Sequence, residues 1–312
     1  MFEQLPTVPT SQELLDKAFR RASRAEDNES MVQNAGNIIS DNLSNLVRKF
    51  PSFERLPPFY REMADIIVGV DAMRISLSRL AWASKQARQI TKDCIGKMKR
   101  SRVQDSTQLR KAAFGRFSSV MKSVEKDLVF LNDARNMLRK MPTIDPTLPT
   151  VLIAGYPNVG KSSFITQVTG ARPEVASYPF TTRGIYVGHF YRGDQKYQVV
   201  DTPGLLDRPL EERNEIERQT MAALNHLQGV VLYILDPSDH CGYPLRSQLR
   251  LAEDLKSSLK LPIVVVANKA DILRYESVPG MSTETGQGVN EVLEMLVSLL
   301  RSKRPDKSRT DV

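Results

Sequence analysis

Apolar positions recur at two different periods along this 312-residue chain, and the change falls near residue 150. In the first part Leu14, Leu15, Ala18, Phe19 and Ala22 stand three or four residues apart, the spacing of one helix face. Thr10-Ser11-Gln12-Glu13 precedes them with capping-box spacing, so a helix is predicted to start there. Pro51, Pro57 and Pro58 interrupt the pattern, because proline lacks the N–H that a helix interior needs. Beyond them Met63, Ile66, Ile67, Val70, Met73, Leu77 and Leu80 form one long stripe, and Leu109, Phe114, Phe117, Val120, Val124, Leu128 and Leu131 a second. Stripes of this kind bury themselves against one another, so an all-α helical-bundle domain is expected over residues 1–148.

Residues 141–150 hold three prolines and cannot continue a helix, which marks a boundary. After it come short apolar runs, Val151–Ala154, Ile185–Tyr191, Tyr197–Val200, Val230–Leu235 and Ile263–Ala267, separated by stretches with helical spacing. The alternation predicts an α/β domain over residues 149–304, with a mostly parallel sheet and helices on both faces. Arg192-Gly193-Asp194 sits between the second and third runs and predicts a hairpin, hence one antiparallel edge. A helix is expected over about 289–300, followed by a polar tail at 305–312 that should be mobile. No internal repeat is visible.

Composition adds little except in its distribution. Apolar residues make up 41% and charged residues 26%, ordinary for a globular protein, and no apolar run nears the ~20 residues of a membrane span. The first residues lack the basic start and apolar stretch of a secretory signal, so a cytoplasmic protein is the expectation; the sequence leaves the oligomeric state open, with a monomer as the default. Cys94 and Cys241, with His189, His226 and His240, are too few and too scattered for a disulfide framework or a zinc centre. The net charge of +8 is confined to one half: residues 1–150 carry 25 Lys/Arg against 17 Asp/Glu, and residues 151–312 carry 19 of each. Between Lys85 and Lys126 twelve basic residues face only three acids, Asp93, Asp105 and Glu125. That reads as a cationic surface suited to phosphate-bearing partners.

The chemistry lies in the second half. Gly155-Tyr-Pro-Asn-Val-Gly160-Lys161-Ser162 follows a predicted strand and opens a predicted helix, the context in which a G-x-x-x-x-G-K-[ST] match carries weight. Such a loop, from Asn158 and Val159 through Gly160, Lys161, Ser162 and Ser163, turns backbone N–H groups onto an anion at a positive helix end. Lys161 can reach the β- and γ-phosphates and Ser162 can ligate Mg²⁺. Asp201-Thr-Pro-Gly204 ends the third run, 40 residues after Lys161; Asp201 suits the metal, and Gly204 suits close approach of its N–H to a γ-phosphate. Between them Tyr178-Pro-Phe-Thr-Thr-Arg183 offers Thr181 or Thr182 to complete the metal shell.

Asn268-Lys269-Ala270-Asp271 follows the fifth run. A carboxylate at Asp271 accepts from the ring N–H and exocyclic amine of guanine together, and adenine offers neither donor there, so GTP and GDP are favoured over ATP. Asn268 suits the base edge and the Lys269 stem its face. Ser282-Thr283-Glu284 could supply backbone N–H groups to the guanine oxygen. The position after Asp201-Thr-Pro-Gly204 where switch GTPases commonly carry a water-orienting glutamine is Leu205, which implies slow intrinsic hydrolysis and a water placed by another group. Asn158 is an available side-chain oxygen beside the phosphates, and Arg183 and Arg208 are candidate charge stabilisers, although a structural role is the commoner one for each. A metabolic phosphotransferase is the competing class, but no second constellation for an acceptor substrate is visible. A protein or membrane partner for the helical half is the other alternative.

Gly155–Ser163, Tyr178–Thr182 and Asp201-Thr-Pro-Gly-Leu-Leu-Asp-Arg-Pro-Leu-Glu-Glu-Arg-Asn214 together resemble the Obg-related P-loop GTPases and, within them, the nucleolar GTP-binding protein family. Ile144-Asp145-Pro146 and Asp236-Pro-Ser-Asp-His-Cys-Gly242 fit the same family. The resemblance implies a Ras-like P-loop GTPase domain behind a helical domain, and a factor in assembly of the large ribosomal subunit that binds precursor rRNA and proteins. It implies Thr182 as the magnesium-binding switch threonine, with Lys161, Thr182 and Gly204 as the residues acting in hydrolysis, and K⁺ held in part by Asn158. The chain ends soon after the GTPase domain, so it looks like the short archaeal form, and nucleolar location is not carried over.

Overall fold

A computed structural model gives the fold and describes residues 2–100, 105–141, 144–170, 174–176 and 184–302. The chain divides into two units, residues 1–56 with 67–139, and residues 57–66 with 140–312. Among the described residues six α-helices precede the first strand: α1 (Ser11–Ala22), α2 (Asn28–Lys49), α3 (Pro58–Val68), α4 (Val70–Met98), α5 (Ser106–Ser123) and α6 (Glu125–Leu138).

In the first unit the capping box forms as its spacing predicts. The Thr10 hydroxyl accepts the Glu13 N–H at 3.2 Å, and the Glu13 carboxylate accepts the Thr10 N–H at 2.8 Å. The stripe from Met63 to Leu80, expected to run unbroken, is split between α3 and α4 at Gly69, whose φ of +74° ends one helix and begins the next. The second stripe is likewise divided, at the buried Val124 between α5 and α6. Helix α2 packs chiefly on α4. Their backbones approach closely because Gly36 has no side chain; a Cβ there would lie 1.8 Å from Thr91 Oγ1. Nearby the Ser84 hydroxyl donates to the Ser40 carbonyl at 2.8 Å. Ile39, Leu43, Met73, Leu80, Ile90, Phe117 and Leu131 fill the interior, and Phe19 stacks on Phe114 at 4.5 Å. Each such side chain contributes about 1.5–3 kcal/mol by leaving water.

The second unit carries a six-stranded sheet: β1 (Thr150–Ala154), β2 (Glu174–Ala176), β3 (Ile185–Arg192), β4 (Gln195–Asp201), β5 (Gly229–Leu235) and β6 (Ile263–Ala267), in the order β2-β3-β4-β1-β5-β6. Five of these match the predicted runs; β2 was not anticipated. Strand β1 pairs in parallel with β4 and β5, and β5 with β6. The β3–β4 hairpin turns at Gly193, φ +59°, and with β2 makes the antiparallel edge. Both β1 and β5 are buried throughout, as continuous apolar runs require. Helices α7 (Lys161–Thr169), α8 (Glu215–Leu224), α9 (Leu245–Ser258) and α10 (Val289–Ser302) follow the strands; α7 packs on β3, and α9 and α10 on β5. Residues 57–66, which include most of α3, belong to this unit, where the Tyr60 hydroxyl donates to the Ile144 carbonyl at 2.6 Å. No helix among the described residues is long and apolar enough to cross a membrane.

Candidate nucleotide-binding site

Because β1, β4, β5 and β6 are mutually parallel, their C-terminal ends lie along one edge of the sheet. The segments beginning at Gly155, Asp201, Asp236 and Asn268 therefore converge there, where α/β sheets place their ligands. The described residues singled out at these strand ends are brought to one edge by this topology.

The phosphate loop leaves β1 at Gly155 (φ +130°), where a Cβ would sit 2.5 Å from the Ile234 carbonyl oxygen, and enters α7 at Gly160 (φ +105°), where it would sit 2.1 Å from Asn268 Nδ2. Neither position tolerates a side chain. Asn158 also adopts a left-handed φ of +62°, a rare conformation outside glycine that is stored at functional loops. A cleft of about 380 Å³ is lined by Asn158, Gly160, Lys161, Ser162, Ser163 and Asp201, among others. Val159 is buried beneath the loop. Lys161 is 8% exposed, and its ammonium donates to the carbonyls of Gly155 (2.7 Å) and Tyr156 (2.8 Å). Ser162 stands exposed in the first turn of α7, where the helix end favours anions.

Asp201 is buried, and its Oδ1 has no hydrogen-bond partner; the hydroxyl of Thr202 beside it is likewise buried and orphaned. Burial pushes the Asp201 carboxyl up to about 6, the Lys161 ammonium pulls it down, and Asp207 pushes it up again. A buried carboxylate oxygen left unpartnered is costly. Mg²⁺, directly or through its water, would supply the missing partner, and the donor set of Ser162 and Asp201 fits that ion. Gly204 has a φ of +86° and no atom near its missing Cβ, leaving its backbone open to close approach.

At the base end Asn268 acts as a strut. Its Nδ2 donates to the Val159 carbonyl (2.8 Å) and the Thr283 hydroxyl (3.0 Å), and its Oδ1 accepts the Thr283 N–H (2.9 Å). The expected contact of Asn268 with a base edge must share these atoms. The Ser282 N–H is likewise engaged, by the Gln287 carbonyl at 2.8 Å. Asp271 is exposed and free to accept from a base. Lys269 has φ +60°, and its ammonium lies 2.5 Å from the fully buried Asp236 carboxylate, which leaves the stem as the surface toward a base.

Asp236 is the residue that sequence reasoning missed as part of this site. Besides Lys269 it accepts from the Ser238 N–H and hydroxyl and from the Cys241 N–H. Burial would raise its pKa, but the Lys269 ammonium and these donors hold it below the ordinary value. The loop it folds carries Tyr243 onto Tyr156 of the phosphate loop, with ring centroids 4.3 Å apart. The signals were its place just after the apolar run Val230–Leu235 and its position at the head of the family-like Asp236–Gly242 stretch.

Leu205 and Leu206, after Gly204, are each 1% exposed and belong to the core. Arg208, a candidate charge stabiliser, pairs with Glu217, and its carbonyl accepts from the buried Arg213 at 2.6 Å. Thr181, Thr182 and Arg183 lie outside the described residues, as does the tail at 305–312.

Two family models match the chain: the NOG1 N-terminal helical domain over residues 2–145, and nucleolar GTP-binding protein 1 (NOG1) over residues 215–271. An uncharacterized protein of Methanocaldococcus jannaschii is 40% identical over 89% of this chain and 83% of its own length. Nucleolar GTP-binding protein 1 of Saccharomyces cerevisiae is 32% identical over 93% of this chain and 48% of its own. A solved structure described as nucleolar GTP-binding protein 1 of Plasmodium falciparum shares 38% identity and covers 52% of this chain and 91% of that one, with a TM-score of 0.47. The chain spans about half the length of the curated fungal relatives it matches. With an archaeal relative matched along most of both chains, and the family models matched in the helical and the α/β parts, this chain belongs to the nucleolar GTP-binding protein 1 family of guanine-nucleotide-binding P-loop GTPases.

Proposed function

We propose that this chain is a GTP-hydrolysing switch that acts in assembly of the large ribosomal subunit and engages precursor rRNA and proteins through its basic helical unit. The observation that carries the reading is the convergence of phosphate loop, Asp201 and Asn268–Asp271 on one sheet edge in a half that is electrically neutral, while the entire net charge sits in the other half. Lys161 exchanges its two carbonyl partners for phosphate oxygens when GTP binds. Ser162 and Asp201, with Thr182, would hold Mg²⁺, which would neutralise charge on the phosphates. Gly204 presents its N–H to the γ-phosphate, and Asp271 accepts from the guanine edge. Leu205 is buried and orients no water, so hydrolysis is slow until a partner engages or K⁺ binds at Asn158. Loss of the γ-phosphate releases the segments around Thr182 and Gly204, and with them the partner.

Co-sedimentation with separated ribosomal subunits tests the reading, with GDP compared against a non-hydrolysable GTP analogue and Asp271→Asn as the control that no longer holds guanine. Selective binding to the large subunit with the analogue is expected. Nucleotide-independent binding, or none, would sink the assembly role and leave a protein or membrane partner. Equal hydrolysis rates in potassium and sodium buffers would remove the role given to Asn158.

A further inference from the structure

Trp82, the single tryptophan of the chain, is 48% exposed on α4. Tryptophan has the largest apolar surface of any side chain, so half of it in water leaves a broad flat aromatic face open to a partner. Its surroundings are cationic. Lys85 and Lys92 follow on the same side of α4, both exposed and without an ion pair among the described residues. The Cys94 contact with the Leu109 carbonyl and the Arg79 contact with the Ser123 carbonyl set α4 and α5 antiparallel. That register brings exposed Arg116 and Lys122 of α5 to the level of Gln86 and Leu80 on α4. Ile75, 61% exposed, continues the apolar strip two turns before Trp82.

A flat aromatic face among mobile cations is poorly suited to a duplex, whose bases are already stacked on one another. It suits an unpaired base: the lysines neutralise the flanking phosphates while the indole offers a stacking surface that any base can use. We propose that Trp82, with Lys85 and Lys92, is a stacking platform for a single-stranded RNA segment. The proposal rests on the reading of the helical unit as RNA-binding and narrows it to unpaired RNA, against shape recognition of a helix.

Because the chain has one tryptophan, its fluorescence reports this site alone. The full-length protein is titrated with a single-stranded oligoribonucleotide and, separately, with the duplex made from it and its complement. Saturable quenching by the single strand is expected, and in anisotropy titrations of end-labelled RNA Trp82→Ala should weaken that complex by about 5- to 150-fold, the range for losing one stacked base. Trp82→Phe should restore most of the affinity. Lys85→Gln with Lys92→Gln should lower the salt slope by roughly 0.7 for each phosphate no longer neutralised. An unchanged circular dichroism spectrum and thermal midpoint in each variant verifies the fold of the helical unit. RNA binding that leaves the fluorescence and the Trp82→Ala affinity unchanged would overturn the platform while keeping the basic unit as an RNA surface. No binding of either RNA at low salt, or quenching by anionic vesicles alone, would overturn both.

Discussion

At the scale of single residues, the tension in this molecule is concentrated at Asp201. Its carboxylate is buried, half unpartnered, and flanked by one helpful charge, Lys161, and one adverse charge, Asp207. With its carboxyl raised by burial to about 6, against 3.8 when exposed, the folded protein binds more protons than the unfolded chain between those values. Ionisation of Asp201 therefore lowers the stability of the metal-free protein as pH rises through that window, and the penalty is complete above it. Magnesium binding needs the ionised form. At pH 5, binding of Mg²⁺ with nucleotide should release close to one proton, and the magnesium affinity should fall about tenfold per pH unit below 6. Calorimetric titration in two buffers of different ionisation enthalpy measures the proton count. A count of zero at pH 5, or the same count in Asp201→Asn, would refute this account.

Among the elements, the α2–α4 contact is the tightest joint in the helical unit. A methyl group at Gly36 overlaps Thr91 Oγ1 and crowds Phe117, both interior positions. Gly36→Ala gains about 1 kcal/mol of helix propensity and loses about 1–3 kcal/mol to overpacking. A net fall in thermal midpoint is expected, with partial recovery in the double variant with Thr91→Ala, as read by circular dichroism. Elements of this kind were legible in the sequence where the apolar pattern is long and unmixed, as in β1, β5 and α10. Strand β2, three residues long, is too short to display a period. Gly69 was unreadable as a break because the apolar spacing continues across it, and only the backbone reveals the positive φ. In the site, contiguous motifs were legible and long-range struts were not. Asp236 meets Lys269 from 33 residues away, and Asn268 joins Val159 to Thr283, pairings that follow from strand order and from no local pattern.

On the scale of the whole molecule, charge and nucleotide chemistry are kept on separate stretches of chain. Residues 151–312 balance their acids and bases, so nucleotide affinity is governed by short contacts inside the cleft and is little affected by bulk salt. The RNA binding proposed for residues 1–150, which hold the whole net charge, would depend on neutralised phosphates and so be strongly affected. Raising salt from about 50 to 200 mM should weaken RNA binding by an order of magnitude or more while shifting the GDP dissociation constant by less than about threefold. Parallel fluorescence titrations compare the two, and equal salt slopes would refute the separation. The membership of α3 in the second unit bears on how the chain is made. Tyr60 leaves the ribosome 84 residues ahead of Ile144, the carbonyl it bonds. At roughly 5–20 residues per second, Tyr60 waits about 4–17 s for the carbonyl it is to bond. That bond cannot form until a residue made long before is met by its partner, which ties one joint of the α/β unit to a segment that a map of the motifs would leave out.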